Sequence, residues 1–319
     1  MFRYTIRRLL WMIPVIVGVS LIIFVLMDLV PGNIVDTIDT SMMSEDQIAE
    51  LYVRYDLDKT VFYRYGKYML GLIQGDLGVS QATGRTVWRE FTYGFPYTLR
   101  LAFFILLLGV AIAIPMGIFA AKYAGTIWDT LITGITIIGM SMPSFWVGLL
   151  LIMLFSAKLD WLPPIYTKGN PLSYLMPVVA GGVSMAATIT RQTRSAMLDT
   201  RRADFLRTAR AKGVSERNIT WRHALRNALI PIVTQVGVML AVTLAGSAVI
   251  ETVYSLPGTG KLTVQAVQQR DTTMACGLVI LTCILYVLIL LAVDLVYALV
   301  DPRIKVQFQR KGKSRRKLL

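Results

Sequence analysis

Apolar positions along the chain gather into six long runs, separated by polar stretches of unequal length. Leu9 to Val30 covers 22 residues, nearly all apolar, enough for a helix to cross a hydrocarbon core about 30 Å thick. Leu99 to Ala121 predicts a second span. Only Lys122 to Asp129 separates it from a third over Thr130 to Ser156, so the two form an antiparallel pair. Pro171 to Thr190, Ala228 to Ile250 and Met274 to Val300 predict the fourth, fifth and sixth spans. Pro143 falls inside the third run. It lacks an N–H and crowds the preceding turn, so it predicts a kink, with a gate and a packing bend both left open. Ala241, Ala245 and Val249 mark a stripe of small residues on the fifth span, suited to close helix contact.

The polar stretches carry patterns of their own. Ser44-Glu45-Asp46-Gln47 has capping-box spacing, and Ile48, Leu51, Tyr52 and Tyr55 follow at i, i+3, i+4 and i+7, which predicts a short amphipathic helix. A second is predicted over Val61 to Ile73, ending in the turn Gly75-Asp76-Leu77-Gly78. Both are expected to pack on the membrane body. Lys158 to Asn170, with Trp161, reads as a loop at the interface. The longest polar stretch of the second half is Arg191 to Asn227, with ten Lys/Arg against three acids.

Composition agrees with a chain that lives in a bilayer: 55% of its 319 residues are hydrophobic and only 16% charged, against about a quarter in soluble domains. The net charge of +14 sits in short blocks beside the apolar runs, which points to anionic membrane lipid and away from nucleic acid as its partner. Assigning sides by charge places 22 of the 33 Lys/Arg on cytoplasmic segments. The expected protein is therefore an all-α membrane protein of six transmembrane helices with both termini cytoplasmic. Residues 1–30 hold an uncleaved first span and 31–98 an extracytoplasmic insert with nine acids against six bases. Residues 99–300 hold the transmembrane core with the cytoplasmic loop 191–227, and 301–319 a basic tail. Cys276 and Cys283 lie seven residues apart on one predicted helix, about 10 Å, beyond disulfide reach.

Chemistry is sparse. Gly258-Thr259-Gly260-Lys261-Leu262-Thr263 looks superficially like a phosphate-binding loop, but Ser255 stands where its first glycine is needed and Leu262 where Ser or Thr must follow the lysine. His223 is the only histidine, so a histidine pair for metal is excluded, and it sits in a basic segment without a nucleophile signature. No catalytic residue, metal site or bound cofactor is expected on this chain. Asp294 lies inside the sixth apolar run about 10 Å from Asp301 along the helix, and is expected to face protein and form a structural pairing.

The basic loop has internal grammar. Ala203 to Lys212 favours helix, Gly213 provides a left-handed stop, and Ser215 is placed to cap a second helix running toward Trp221. Thr208, Ala209 and Ala211 are small and flanked by Arg207, Arg210 and Lys212, which would let a short helix sit in a groove of another protein. Spacing alone leaves that reading level with a solvated loop on lipid headgroups.

Arg207-Thr208-Ala209-Arg210-Ala211-Lys212-Gly213, followed by Arg222-His223-Ala224-Leu225-Arg226-Asn227-Ala228-Leu229-Ile230-Pro231, resembles the EAA loop of ABC transporter permeases in its peptide-importer version. Arg7-Arg8, Pro31-Gly32, Gly75 to Ser80, Pro143-Ser144-Phe145, Glu251 to Gly260, Arg270-Asp271 and Asp294 to Tyr297 also resemble the dipeptide/oligopeptide/nickel permease family, the first (B-type) subunit of its pair. Two departures from the general pattern stand out: Arg207-Thr208-Ala209 replaces Glu-Ala-Ala, and Pro231 comes five residues late.

The resemblance implies a type I ABC importer-like fold and one half of a pathway for peptides, with nickel or another small solute as the alternative. It implies as partners a second homologous permease, two cytoplasmic ATPase subunits that bind ATP and Mg, and an extracytoplasmic substrate-binding protein. Arg207 to Gly213, Ser215, Glu216 and His223 would then form the ATPase-coupling loop. Pro143, Glu251, Arg270 and Asp271 would be pathway or outer-face positions able to meet substrate or binding protein. A stand-alone channel or a membrane-bound enzyme is the rival from another class.

Overall fold

The computed structural model describes residues 2–38, 41, 43–201 and 203–300. Among them the secondary structure is helical apart from one isolated bridge between Val79 and Thr86. In chain order the helices are α1 (Phe2–Leu29), α2 (Glu45–Arg54), α3 (Val61–Ile73), α4 (Val87–Lys122), α5 (Ile127–Ser141), α6 (Ser144–Leu151) and α7 (Leu175–Arg201). There follow α8 (Asp204–Ala211), α9 (Glu216–Asn218), α10 (Leu225–Gly246), α11 (Ala248–Val253), α12 (Thr259–Gln268) and α13 (Thr272–Val300). Among the described residues five helices are long and apolar enough to cross a membrane, and α5 with the helix after Pro143 makes a bent pair that completes six if counted as one span. The chain forms two compact units: Arg100–Leu244 with the first residues and the last part of α13, and Arg7–Leu99 with Ala245–Val287. The predicted tail, 301–319, lies outside the described residues.

In the second of these units, α2 starts where the capping box places it. Ser44 Oγ accepts from Gln47 N at 3.3 Å and Gln47 Oε1 from Ser44 N at 2.9 Å. Thr60 caps α3. Tyr65, Tyr68 and Leu72 of α3 pack on Phe24, Cys276 and Ile280, as expected of an insert seated on the membrane body. α4 already begins at Val87, inside the predicted insert 31–98 and ahead of the span predicted from Leu99. Gly94 and Pro96 read locally as breakers, but Val87 and Phe91 are buried against Ala266, Met274 and Leu278, and this packing holds the helix. Gly94 itself lets α12 approach: a Cβ there would meet Thr259 N at 3.0 Å. The two cysteines are free, as expected.

In the first unit, Pro143 does more than kink the third span. It caps α6 after a break, and the two halves are bent by 95°. α7 runs unbroken for 27 residues and packs closely on α4, where a Cβ on Gly117 would fall 2.5 Å from Thr193 Cβ. Of the small-residue stripe predicted on the fifth span, Ala241 is buried within the chain, and Ala245 and Val249 are exposed on it. The close approach in α10 is at Gly237, which abuts Val293 of α13. Asp294 is half-buried and engaged with its surroundings.

Candidate functional site

The fourth span does not stop at Thr190. α7 carries Arg191 to Arg201 onward, so the predicted loop Arg191 to Asn227 begins as a continuation of this helix. Two contacts explain the extension. Arg194 forms a two-point ion pair with Asp129 in the first turn of α5, Nε to Oδ1 at 2.6 Å and Nη2 to Oδ2 at 2.8 Å. Arg201 donates to the carbonyls of Ala121 and Lys122 at the end of α4, where unpaired carbonyls attract a cation. Sequence reasoning missed both pairs. The only signal was Asp129, an acid at the edge of an apolar run.

On this base sits α8. Leu206 is fully buried among Ile118, Ala121, Met197, Ile219, Ala228 and Ile232, with Ala209 and Val214 beside it. Complete burial of a leucine stabilises by about 1.5–3 kcal/mol, so one side chain fixes the orientation of an eight-residue helix. With that face turned in, Arg207, Thr208, Arg210, Ala211, Lys212 and Gly213 are exposed together. Ala209, expected among the small contact residues, belongs to the buried side.

The stop after α8 is a Schellman turn: Gly213 N donates to Arg210 O at 2.9 Å and Val214 N to Ala209 O at 3.2 Å. Gly213 has φ +76°, and a Cβ there would meet nothing within 4 Å. The requirement for glycine is therefore in the backbone alone. Arg210 and Glu216 bracket the turn, Nε to Oε1 at 2.7 Å and Nη2 to Oε2 at 3.4 Å. The hydrogen bond that Arg210 donates to Glu216 raises the pKa of Arg210 above its ordinary value. Glu216 is thus engaged within the loop. Ser215 has the backbone of an N-cap but makes no side-chain capping bond, which corrects that expectation. His223 lies half-buried in a π-helical turn, Ile219–Ala224, and its carbonyl accepts from Asn227 Nδ2 at 2.9 Å.

The outer-face candidates of the other unit read differently in three dimensions. Glu251 is fully buried and accepts from Thr98 Oγ1 at 2.8 Å, Ser247 Oγ at 2.6 Å and Lys261 N at 2.9 Å. The glycines of the phosphate-loop look-alike make room for it: a Cβ on Gly258 would fall 2.4 Å from its carboxyl. Asp271, also fully buried, caps α13 by accepting from Met274 N at 2.9 Å and takes Ser80 Oγ at 2.5 Å. Both are structural braces, and neither presents its charge to a docking partner. Arg270 is half-buried, while Pro143 is exposed at its helix break.

Residues 113–306 match the family described as "Binding-protein-dependent transport system inner membrane component", and residues 1–102 match its N-terminal companion. The chain belongs to this family. It is 36% identical to the di/tripeptide transport system permease protein DppB of Pseudomonas aeruginosa (strain UCBPP-PA14), over 96% of this chain and 100% of that protein. It is 34% identical to the dipeptide transport system permease protein DppB of Escherichia coli (strain K12), over 96% and 99%. Among solved structures, the MetNI methionine ABC transporter in an inward-facing conformation superposes with TM-score 0.57 at 22% identity, covering 66% of this chain and 96% of that one. The chain is accordingly a multi-pass membrane subunit of a transport system, with the helical fold of ABC importer permeases.

Proposed function

We propose that the chain is one of two related permease subunits of an ATP-driven importer of di- and oligopeptides. The carrying observation is its 36% identity, over nearly the whole length of both chains, with a di/tripeptide permease. In this reading residues 31–98 face outward, where a binding protein delivers peptide, and α8 faces the cytoplasm with both chain ends. Two ATPase subunits bind ATP and Mg there, and a cleft on one receives the exposed face Arg207 to Gly213.

The geometry suits such a coupling. Because Leu206 pegs α8 into the packing of α4, α7 and α10, a push on α8 cannot be absorbed by a floppy tether. Because α7 is gripped by Asp129, the push also reaches α5. ATP-driven closure of the motor pair would then bias the bent α5–α6 segment between two arrangements.

The test is reconstitution in proteoliposomes with the partner subunits. ATP-dependent uptake of a labelled dipeptide is expected, competed by unlabelled peptide, together with cross-linking of a cysteine at Ala211 to an ATPase subunit. ATP-dependent uptake of nickel in place of peptide would overturn the substrate, and solute flux without any ATPase would overturn the mechanism.

A further inference from the structure

The unit that contains α3 holds a cavity of about 780 Å³, within the range of about 300–1,000 Å³ typical of small-molecule sites. It is bounded by the end of α1, the Pro31–Asn33 turn, α3, the loop after Gly78 and the start of α13. The α8 surface contributes nothing to it, and the buried Glu251 and Asp271 lie outside its lining.

Four cations line the wall, Arg54, Arg64, Lys67 and Arg270, and the last three differ in what they already hold. Lys67 is paired with Asp56. Arg64 gives one Nη to Asp28, yet its Nε is buried without a hydrogen-bond partner among the described residues. Arg270 takes part in none of the ion pairs among the described residues. A guanidinium with free N–H groups matches the flat two-oxygen edge of a carboxylate. Against these stand Asp56, held by Lys67, Asp28, held by Arg64 through one oxygen, and Asp76, whose Oδ1 accepts from Gly78 N at 2.8 Å; the last two would oppose a bare anion and suit an ammonium group.

Arg270 adds a second line of argument. It follows Gln269, the C-cap of α12, with φ +58°, the left-handed position after a helix that glycine fills without strain. The turn itself favours glycine, and the long charged side chain that stands there instead lines the cavity.

We propose that this cavity is a binding site for a small zwitterion, with Arg270 and Arg64 receiving a carboxylate and Asp28 and Asp76 an ammonium, as in a short unblocked peptide. The choice of peptide rests on the proposed function; the charge arrangement does not.

The test uses the complete transporter, without binding protein, in nanodiscs of phosphatidylcholine, titrated calorimetrically with dialanine. Millimolar dialanine is expected to bind, and its C-terminal amide and N-acetyl forms to bind at least about tenfold more weakly. Arg270→Gly is expected to weaken dialanine by about tenfold or more while the thermal midpoint stays or rises, because glycine relieves the turn. Failure of wild type to bind, equal affinity for the amide, or an unchanged affinity in Arg270→Gly would each overturn the inference. Loss of dialanine binding when phosphatidylglycerol replaces the lipid would assign the cavity to headgroups and overturn it too. Dialanine uptake by cells with the intact transporter is measured in parallel. Uptake without cavity binding would overturn this inference alone, and binding without uptake the peptide reading alone.

Discussion

Arg194 holds both oxygens of Asp129 through Nε and Nη2, tying α7 to α5 across 65 residues of sequence. The Asp129 side chain is 7% exposed and that of Arg194 31%. Removing one member of a buried pair costs about 3–5 kcal/mol, and the partial exposure of Arg194 reduces this to roughly 2 kcal/mol. Arg194→Ala should therefore lower the thermal midpoint of the solubilised transporter, and a double-mutant cycle with Asp129→Ala should return a coupling energy well above zero. Additive losses would show that the pair is incidental.

Gly213 is constrained by conformation and not by space. Gly213→Val should cost about 1–2 kcal/mol of local strain, whereas Gly213→Asn, which tolerates the left-handed region, should retain most function. The expected phenotype of the valine variant is an assembled complex that hydrolyses ATP with little uptake, read by paired ATPase and transport assays. Equal behaviour of the two variants would argue against a role for the turn geometry.

The two faces of α8 should separate in experiment. Leu206→Ala is expected to cost about 2–5 kcal/mol and to reduce the amount of folded protein. Arg207→Ala and Lys212→Ala, both at exposed positions, should leave stability within about 0.5 kcal/mol while weakening retention of ATPase subunits during purification. If the arginine and lysine variants retain their ATPases fully, the exposed face is not the contact.

Asp271→Ala removes a helix cap and strands Ser80, so a loss of about 1–3 kcal/mol is expected, seen as a lower thermal midpoint in detergent. A surface charge serving a docking partner would leave the midpoint where it is.

What could be read from residues alone was whatever local rules determine. The capping box at Ser44 and Gln47, the helix that ends at Gly213 and the bounds of α3 follow from neighbours within a turn or two. The EAA-like loop was legible as a resemblance, and its match extends through nearly the whole chain. Glu251 and Asp271 were misplaced because a carboxylate at a span end resembles a surface group, and the donors Thr98 and Ser80 that bury them are more than 150 residues away. The start of α4 was hidden for a related reason: Gly94 and Pro96 are breakers until Leu262 and Phe91 are packed around them. At Pro143 the local rule was right in kind and too mild in degree, because a proline weakens a helix but the surroundings determine how far it turns.

The uninterrupted course of α7 has a mechanical consequence. At 1.5 Å per residue its 27 residues make a stiff rod about 40 Å long, with hydrogen bonds along its length and no proline within its interior turns near Arg191 to Arg201. The chain beside it, α5 and α6, has a joint at Pro143. A stiff member bound to a jointed one divides the labour of motion: travel imposed at the Arg201 end is conserved along the rod and spent as rotation at the joint.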